Sequence, residues 1–98
     1  MSISATALVS IPEDVLFREL DGEAIILNLA NALYFGLDPV GTRIWTVLAE
    51  SSSVSRAIEV LTAEFDVEPV VAAQDVIELV SALRDQGLIV VNPASNPS

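Results

Sequence analysis

The sequence contains no cysteine, no histidine and no lysine. Without cysteine there are no disulfides, no thiolate metal sites and no thiol nucleophiles. Without histidine the chain lacks the commonest general base and the commonest metal ligand, and without lysine it cannot form a Schiff base. The serines at 51–53 therefore have no histidine or lysine to activate them. We predict no catalytic residue, no metal site and no cofactor.

Positive charge is also scarce. Fourteen acidic residues stand against four arginines, which gives a formal net charge of −10. Proteins bind nucleic acid largely by neutralising phosphates with basic side chains, so nucleic acid is a poor partner for this chain. Anionic membrane surfaces are disfavoured for the same reason. A neutral or basic polypeptide is the partner that this charge favours.

Long apolar runs are absent as well. No stretch approaches the roughly 20 apolar residues that a membrane-spanning helix needs. No basic residue precedes Arg18, whereas a secretory signal begins with a basic region. We therefore expect a cytoplasmic protein without a membrane partner. We expect one domain over residues 12–91, between a flexible N-terminus at 1–11 and a flexible tail at 92–98.

The first half of this domain carries strand and turn signals. Val15–Leu20 and Glu23–Leu29 are rich in strand-forming residues and flank Asp21-Gly22, a strong hairpin signal. After a second turn, Leu33–Leu37 forms a third strand. The three strands predict an antiparallel meander in the order 1-2-3, in which the third strand is an edge.

The hairpin turn also predicts which residues face each other. A two-residue turn places Leu16 opposite Leu27 and Arg18 opposite Ile25. In the second turn, Asn31 is predicted to take a positive φ. Strand alternation then puts one set of apolar side chains on a common face, which we assign to the core: Leu16, Leu20, Ile25, Leu27 and Leu29.

Three helices follow the strands. Asp38 is a helix cap followed by Pro39 at the first helical position, and Gly87 ends the last helix. The predicted helices cover 39–50, 54–65 and 69–86. Residues 88–91 form either a short terminal strand or an apolar tail packed on the body. The predicted fold class is α+β, a winged helix-turn-helix-like arrangement of a three-stranded antiparallel meander followed by three helices.

In a DNA-binding winged helix the third helix would enter the major groove. The exposed side of this helix carries Asp75, Glu78 and Asp85, with Arg84 as its one basic residue. Those carboxylates would repel phosphates, so the fold analogy does not extend to DNA binding. The apolar arc of the helix is unusually broad. Either two neighbours bury it, or its extra edge lines a groove.

A series of motifs in one order is more distinctive than any single element. It reads Leu27-Asn28, Tyr34-Phe35, Leu37-Asp38, Gly41, Ile44-Trp45 and Gly87-Leu88-Ile89. In these residues the sequence resembles the PqqD-like family, also called RiPP recognition elements, where RiPP denotes a ribosomally synthesised and post-translationally modified peptide. The resemblance covers about residues 12–91. It is greatest to the standalone leader-peptide-binding proteins of split lasso-peptide systems.

The resemblance implies a non-catalytic protein that binds the leader of a precursor peptide. The leader would add as a strand beside the third strand, pack against the third helix, and be presented to a separate maturation enzyme, a leader peptidase or a radical maturase. An edge strand suits this role because its backbone groups are free. The peptide-binding residues implied are Leu33, Tyr34, Phe35, Gly36 and Leu37 on the strand, and Ala72, Asp75, Val76, Leu79 and Leu83 on the helix.

The sequence departs from the family pattern at two positions. Ala32 stands where glycine is common, and Leu33 stands where a basic residue is common. The alternative function is an acidic winged-helix regulatory or protein-interaction module that pairs with itself through the edge strand. The expected oligomeric state is a monomer or a weak homodimer.

Overall fold

The computed structural model of the chain describes residues 3–92. The elements in chain order are β1 (Leu8–Ser10), β2 (Val15–Leu20), β3 (Glu23–Asn28), β4 (Leu33–Leu37), α1 (Pro39–Ser51), α2 (Val54–Phe65), α3 (Pro69–Asp85) and β5 (Val90–Asn92). Strands β2, β3 and β4 form an antiparallel sheet in that order. The predicted meander followed by three helices, and the α+β class, are confirmed. Over the described range, no helix combines the length and apolarity that a membrane span requires.

The N-terminal segment belongs to the folded body. Strand β1 pairs antiparallel with β5, and Ile3, Ala7 and Val9 are buried in the core. The prediction of a flexible N-terminus is therefore wrong for residues 3–11. The strand is too short to stand out in the sequence, and its partner lies at the other end of the domain. Residues 1–2 and 93–98 lie outside the described residues. Of the predicted flexible tail at 92–98 only Asn92 is described, and it is the last residue of β5.

Local side-chain chemistry accounts for the helix starts. The Asp38 carboxylate accepts a hydrogen bond from the Gly41 N–H at 2.7 Å, and Pro39 occupies the first turn of α1. Ser53 caps α2 by accepting from the Arg56 N–H at 3.2 Å. A β-carbon on Gly41 would lie only 3.2 Å from the Asp38 carboxylate. Glycine at this position therefore leaves room for the Asp38 carboxylate that caps α1.

Helix α1 packs on one face of the sheet. The rings of Phe17 and Trp45 stack with their centroids 6.0 Å apart. On the same face of the sheet Ile26 is fully buried, and the small side chain of Ala24 is also buried. Helices α1 and α2 are joined at the surface by Arg43, which donates two hydrogen bonds of 2.8 and 2.7 Å to Glu64. These bonds lower the pKa of the Glu64 carboxyl.

The predicted strand register is correct, but the predicted core face is wrong. Leu16 lies opposite Leu27, and Arg18 lies opposite Ile25. The leucine-rich face points away from the helices, so that Leu20 is 77% exposed and Ile25 is 54% exposed, and Leu16 and Leu29 are exposed as well. Alternation separates the two faces of a strand but does not say which one the helices cover. Here the covered face is the one that supplies the aromatic contact to Trp45.

The turn between β3 and β4 also differs from the prediction. Ala32, not Asn31, has the positive φ, at +61°. The Asn31 side chain instead accepts a hydrogen bond from the Leu33 N–H at 3.0 Å. In the left-handed conformation the β-carbon lies too close to the following carbonyl oxygen, which destabilises the folded state by roughly 1–2 kcal/mol. Glycine has no β-carbon and avoids this cost.

We therefore expect Ala32→Gly to stabilise the protein by about 0.5–1 kcal/mol. The gain is smaller than the full strain energy because glycine has a greater conformational entropy in the unfolded chain. Urea denaturation measures this free energy of unfolding. Ala30→Gly, in the same turn but without a positive φ, is the control and should lower stability by about 0.5 kcal/mol. Equal effects of the two substitutions would contradict this account of the turn.

Candidate functional site

Strand β4 has one free edge. It pairs with β3 on one side, and no strand within residues 3–92 pairs with its other side. The backbone N–H and C=O groups on that side are open to another chain. Gly36 leaves the approach unobstructed, since a β-carbon there would meet no atom within 4 Å. An extended polypeptide can therefore add to this edge through backbone hydrogen bonds.

The side chains of β4 alternate between two surroundings. Leu37 is buried and Phe35 half-buried on the side that faces the helices, and Leu33 has the same orientation but is exposed at the strand start. Tyr34 and Gly36 lie on the opposite side of the sheet, where Tyr34 is 73% exposed. Phe35, rather than Tyr34, therefore faces the core. A strand added to β4 would meet both surroundings in turn.

A groove of about 440 Å³ adjoins this edge, between the first turns of α1 and the middle of α3. Its lining residues are Asp38, Val40, Gly41, Ile44, Asp75, Glu78 and Leu79. The side chains of Val40, Ile44 and Leu79 supply its apolar surface. Asp38 follows β4 directly in the chain, so the groove continues from the end of the strand edge. We call this surface the α1–α3 groove.

The structure divides the predicted α3 site residues into two groups. Asp75 is exposed and Leu79 half-buried, and both line the α1–α3 groove. Ala72, Val76 and Leu83 are completely buried. These three therefore support the groove from beneath and do not line it. Most of the broad apolar arc of α3 is buried by its neighbours, and one edge of the arc reaches the groove.

The sequence prediction missed the contribution of α1 to the groove. Val40 and Ile44 are four residues apart and so share one side of the helix. That spacing was interpreted only as part of the core, and Ile44 is indeed buried. The signal that could have identified the groove is the apolar pair next to a capping carboxylate, opposite the acidic side of α3. The sequence does not show that the two lie opposite each other, because this depends on how two helices distant in sequence cross.

Comparison with known proteins identifies the family of this chain. The model of the family described as "Coenzyme PQQ synthesis protein D (PqqD)" matches residues 23–89. The chain belongs to the PqqD family. The matched range contains β3, the β4 edge and all three helices, and therefore the whole α1–α3 groove. The predicted family resemblance is confirmed. No curated protein matches the chain.

Two solved structures resemble the PqqD-family chain over most of its length. The structure described as "TbiB1 in Complex with the TbiA(beta) Leader Peptide" is 31% identical, covers 82% of this chain and 93% of TbiB1, and superposes with a TM-score of 0.77. The structure described as "Lasso peptide synthetase B1 complexed with the leader peptide" is 22% identical, with 84% and 96% of the two chains covered and a TM-score of 0.75. The second likeness shows the shared fold.

The charged side chains that line the groove of this PqqD-family chain are all acidic. Asp38, Asp75 and Glu78 line it, and no cationic side chain does. None of the three forms an ion pair with any residue in the described part of the chain. Nor do residues 3–92 bring three potential metal ligands together anywhere. The groove therefore favours an apolar or basic side chain over an acidic one.

Proposed function

We propose that this PqqD-family protein binds the leader of a ribosomally synthesised precursor peptide and presents it to a separate maturation enzyme, a leader peptidase or another modifying enzyme. The observation that carries the proposal is the free β4 edge continuous with the α1–α3 groove. It occurs in a chain 31% identical to TbiB1, whose structure is described as a complex with a leader peptide. The lasso peptide synthetase B1 complex supports the same assignment at the level of fold.

The leader adds as a fourth strand beside β4. Its backbone supplies affinity through hydrogen bonds that do not depend on sequence, and its side chains supply specificity. Every second side chain faces the helices and reaches Phe35 and the α1–α3 groove. The residues between them lie beside Tyr34 and Gly36 on the other side of the sheet. Leu33, at the start of β4, contacts one end of the bound leader.

The role proposed for the chain itself is non-catalytic. Its sequence supplies no histidine, cysteine or lysine for acid–base or nucleophilic chemistry. Binding the leader along an edge leaves the rest of the precursor free to enter another active site. The acidic groove is a further argument against the regulatory alternative in its DNA-binding form, because it would repel phosphates.

Fluorescence anisotropy tests this proposal. Labelled leaders are taken from every precursor peptide encoded near the chain's gene, and one of them should bind saturably, with a Kd on the order of 10 µM or tighter. A peptide of the same composition in scrambled order is the control. It should bind at least about tenfold more weakly, because its side chains no longer match the positions of the α1–α3 groove along the strand. Absence of saturable binding by the native leader would refute the function.

A further inference from the structure

Asn28, the last residue of β3, carries a polar side chain that is buried inside the domain and is only 7% exposed. Its side-chain oxygen accepts a hydrogen bond from the Ala30 N–H at 2.9 Å, and its amide nitrogen donates one to the Gly87 carbonyl at 3.2 Å. Its backbone carbonyl accepts a third from the Ala32 N–H at 2.8 Å. A buried polar group is costly unless it is paired, so these bonds hold both ends of the amide in place.

The bond to Gly87 ties the three-stranded sheet to the end of α3. In the part of the chain that the structure describes, no other hydrogen bond joins this sheet to α3 or to the residues between α3 and β5. Gly87 has a φ of +75°, and the next two residues, Leu88 and Ile89, are buried in the core. The Gly87 carbonyl is therefore a fixed point. Two motifs that are far apart in the sequence, Leu27-Asn28 and Gly87-Leu88-Ile89, meet at this bond.

The Asn28–Gly87 bond lies at one end of the proposed leader site. Asn28 pairs with Leu33 at the start of β4, whereas the α1–α3 groove lies past the other end of that strand. The five residues of β4 span about 13 Å from first to last. On α3, Leu79 in the groove and Gly87 at the bond are eight positions apart, which corresponds to about 12 Å at a helical rise. Helix α3 therefore follows β4 and approaches it at two places, one at each end of the strand.

The side chain of Asn28 is not available to the leader. It lies on the central strand of the sheet, and its polar atoms are used within the chain. What it determines is how far the end of α3 stands from the start of β4, because removing its donor releases the Gly87 segment from the sheet. At the opposite end of the strand, Val40 and Ile44 of α1 form the other wall of the groove. A change at Asn28 should therefore alter the leader site at its Leu33 end.

We propose that Asn28 is a positioning residue for the leader, which holds the end of α3 at the distance from β4 that a bound strand requires. This inference rests on the proposed function, because it takes the leader to lie beside β4. It predicts that folded protein without this bond loses leader affinity. A residue needed only for stability would leave the leader affinity of the folded protein unchanged.

Asn28→Asp tests the inference, because it keeps the size of the side chain and the acceptor for the Ala30 N–H but replaces the donor to Gly87 with an oxygen. The probe is the labelled leader that the unsubstituted protein binds most tightly. In protein that circular dichroism shows to be folded, we expect leader affinity measured by anisotropy to fall at least about fivefold. Val54→Ala is the control. Val54 is fully buried in α2 and outside the groove lining, so its truncation should lower stability but change leader affinity less than about twofold.

Double-mutant cycles in leader affinity locate the effect along the strand. Combined with Leu33→Ala, Asn28→Asp should depart from additivity by at least about fourfold, because both changes act on the same end of the leader. Combined with Leu79→Ala, it should be additive within about twofold, because Leu79 lies at the other end. A loss of affinity coupled to Leu79 in place of Leu33 would overturn the inference.

Gly87→Ala disturbs the same bond from its other side without a change of charge, and it guards against an Asn28→Asp protein that does not fold. A β-carbon on Gly87 would lie 3.7 Å from the Asn28 amide nitrogen, and the positive φ strains any side chain. We expect leader affinity to fall at least about threefold. Folded variants at both positions that bind leader within about twofold of the unsubstituted protein would overturn the positioning role and leave the proposed function intact. If the unsubstituted protein binds no leader, the proposed function fails and the positioning role fails with it.

Discussion

Leu79→Ala should weaken leader binding about thirtyfold, which corresponds to about 2 kcal/mol. Leu79 is half-buried in the α1–α3 groove, and Val40 and Ile44 face it from α1. A leader side chain placed between them would bury apolar surface against all three residues. Removing a leucine from the centre of such a site forfeits this contact and leaves a gap that the rigid helices cannot close. Anisotropy with the labelled leader measures the change.

Val70→Ala supplies a matched control on the same helix. Val70 is 66% exposed and lies outside the groove lining. Its truncation should change leader affinity less than about twofold, because exposed residues away from an interface centre contribute little. Thermal denaturation of both variants verifies that each remains folded at the assay temperature. Similar losses of affinity in the two variants would contradict the assignment of the groove as the leader site.

The sequence predicted best where local chemistry determines structure. Asp21-Gly22 set the β2–β3 register because a two-residue turn leaves one pairing. Asp38 and Pro39 marked the start of α1 because a capping carboxylate and a fixed proline φ act within a few residues. Features that depend on distant partners escaped prediction. The pairing of β1 with β5 joins the two ends of the domain, and neither three-residue strand is distinctive alone.

In the candidate site, too, features set by neighbouring residues were predicted and features set by distant partners were not. The β4 edge followed from the order of strands, which short turns determine. The periodicity of α3 identified an apolar arc but not which part of it neighbours cover. Val76 therefore proved to be core, while Leu79, three residues later, lines the groove. The choice between the two faces of the sheet failed for a related reason. Leu16, Leu20 and Leu27 all lie on the sheet face that points away from α1, where Leu20 is 77% exposed, so the number of leucines was a poor guide to the core.

Methylation of alternate backbone nitrogens in the leader should affect its affinity in a strongly position-dependent way. In a strand, successive N–H groups point to opposite sides, so only every second one faces β4. Strand β4 spans five residues, which leaves room for two or three leader N–H groups to donate to it. Removing these donors costs about 1 kcal/mol each, and the methyl groups also prevent close approach. We expect one methylated set to lose binding about thirtyfold or more.

The other methylated set is the control, because its N–H groups point away from β4 while its composition and number of methyl groups are identical. It should bind within about fivefold of the unmodified leader. The ratio between the two sets isolates the backbone contribution from side-chain contacts in the α1–α3 groove, which both peptides retain. A leader bound as a helix, or held by its side chains alone, would lose similar affinity in both sets. Equal losses would therefore refute strand addition to β4 while still allowing leader binding, since every side chain that could reach Leu79 is unchanged.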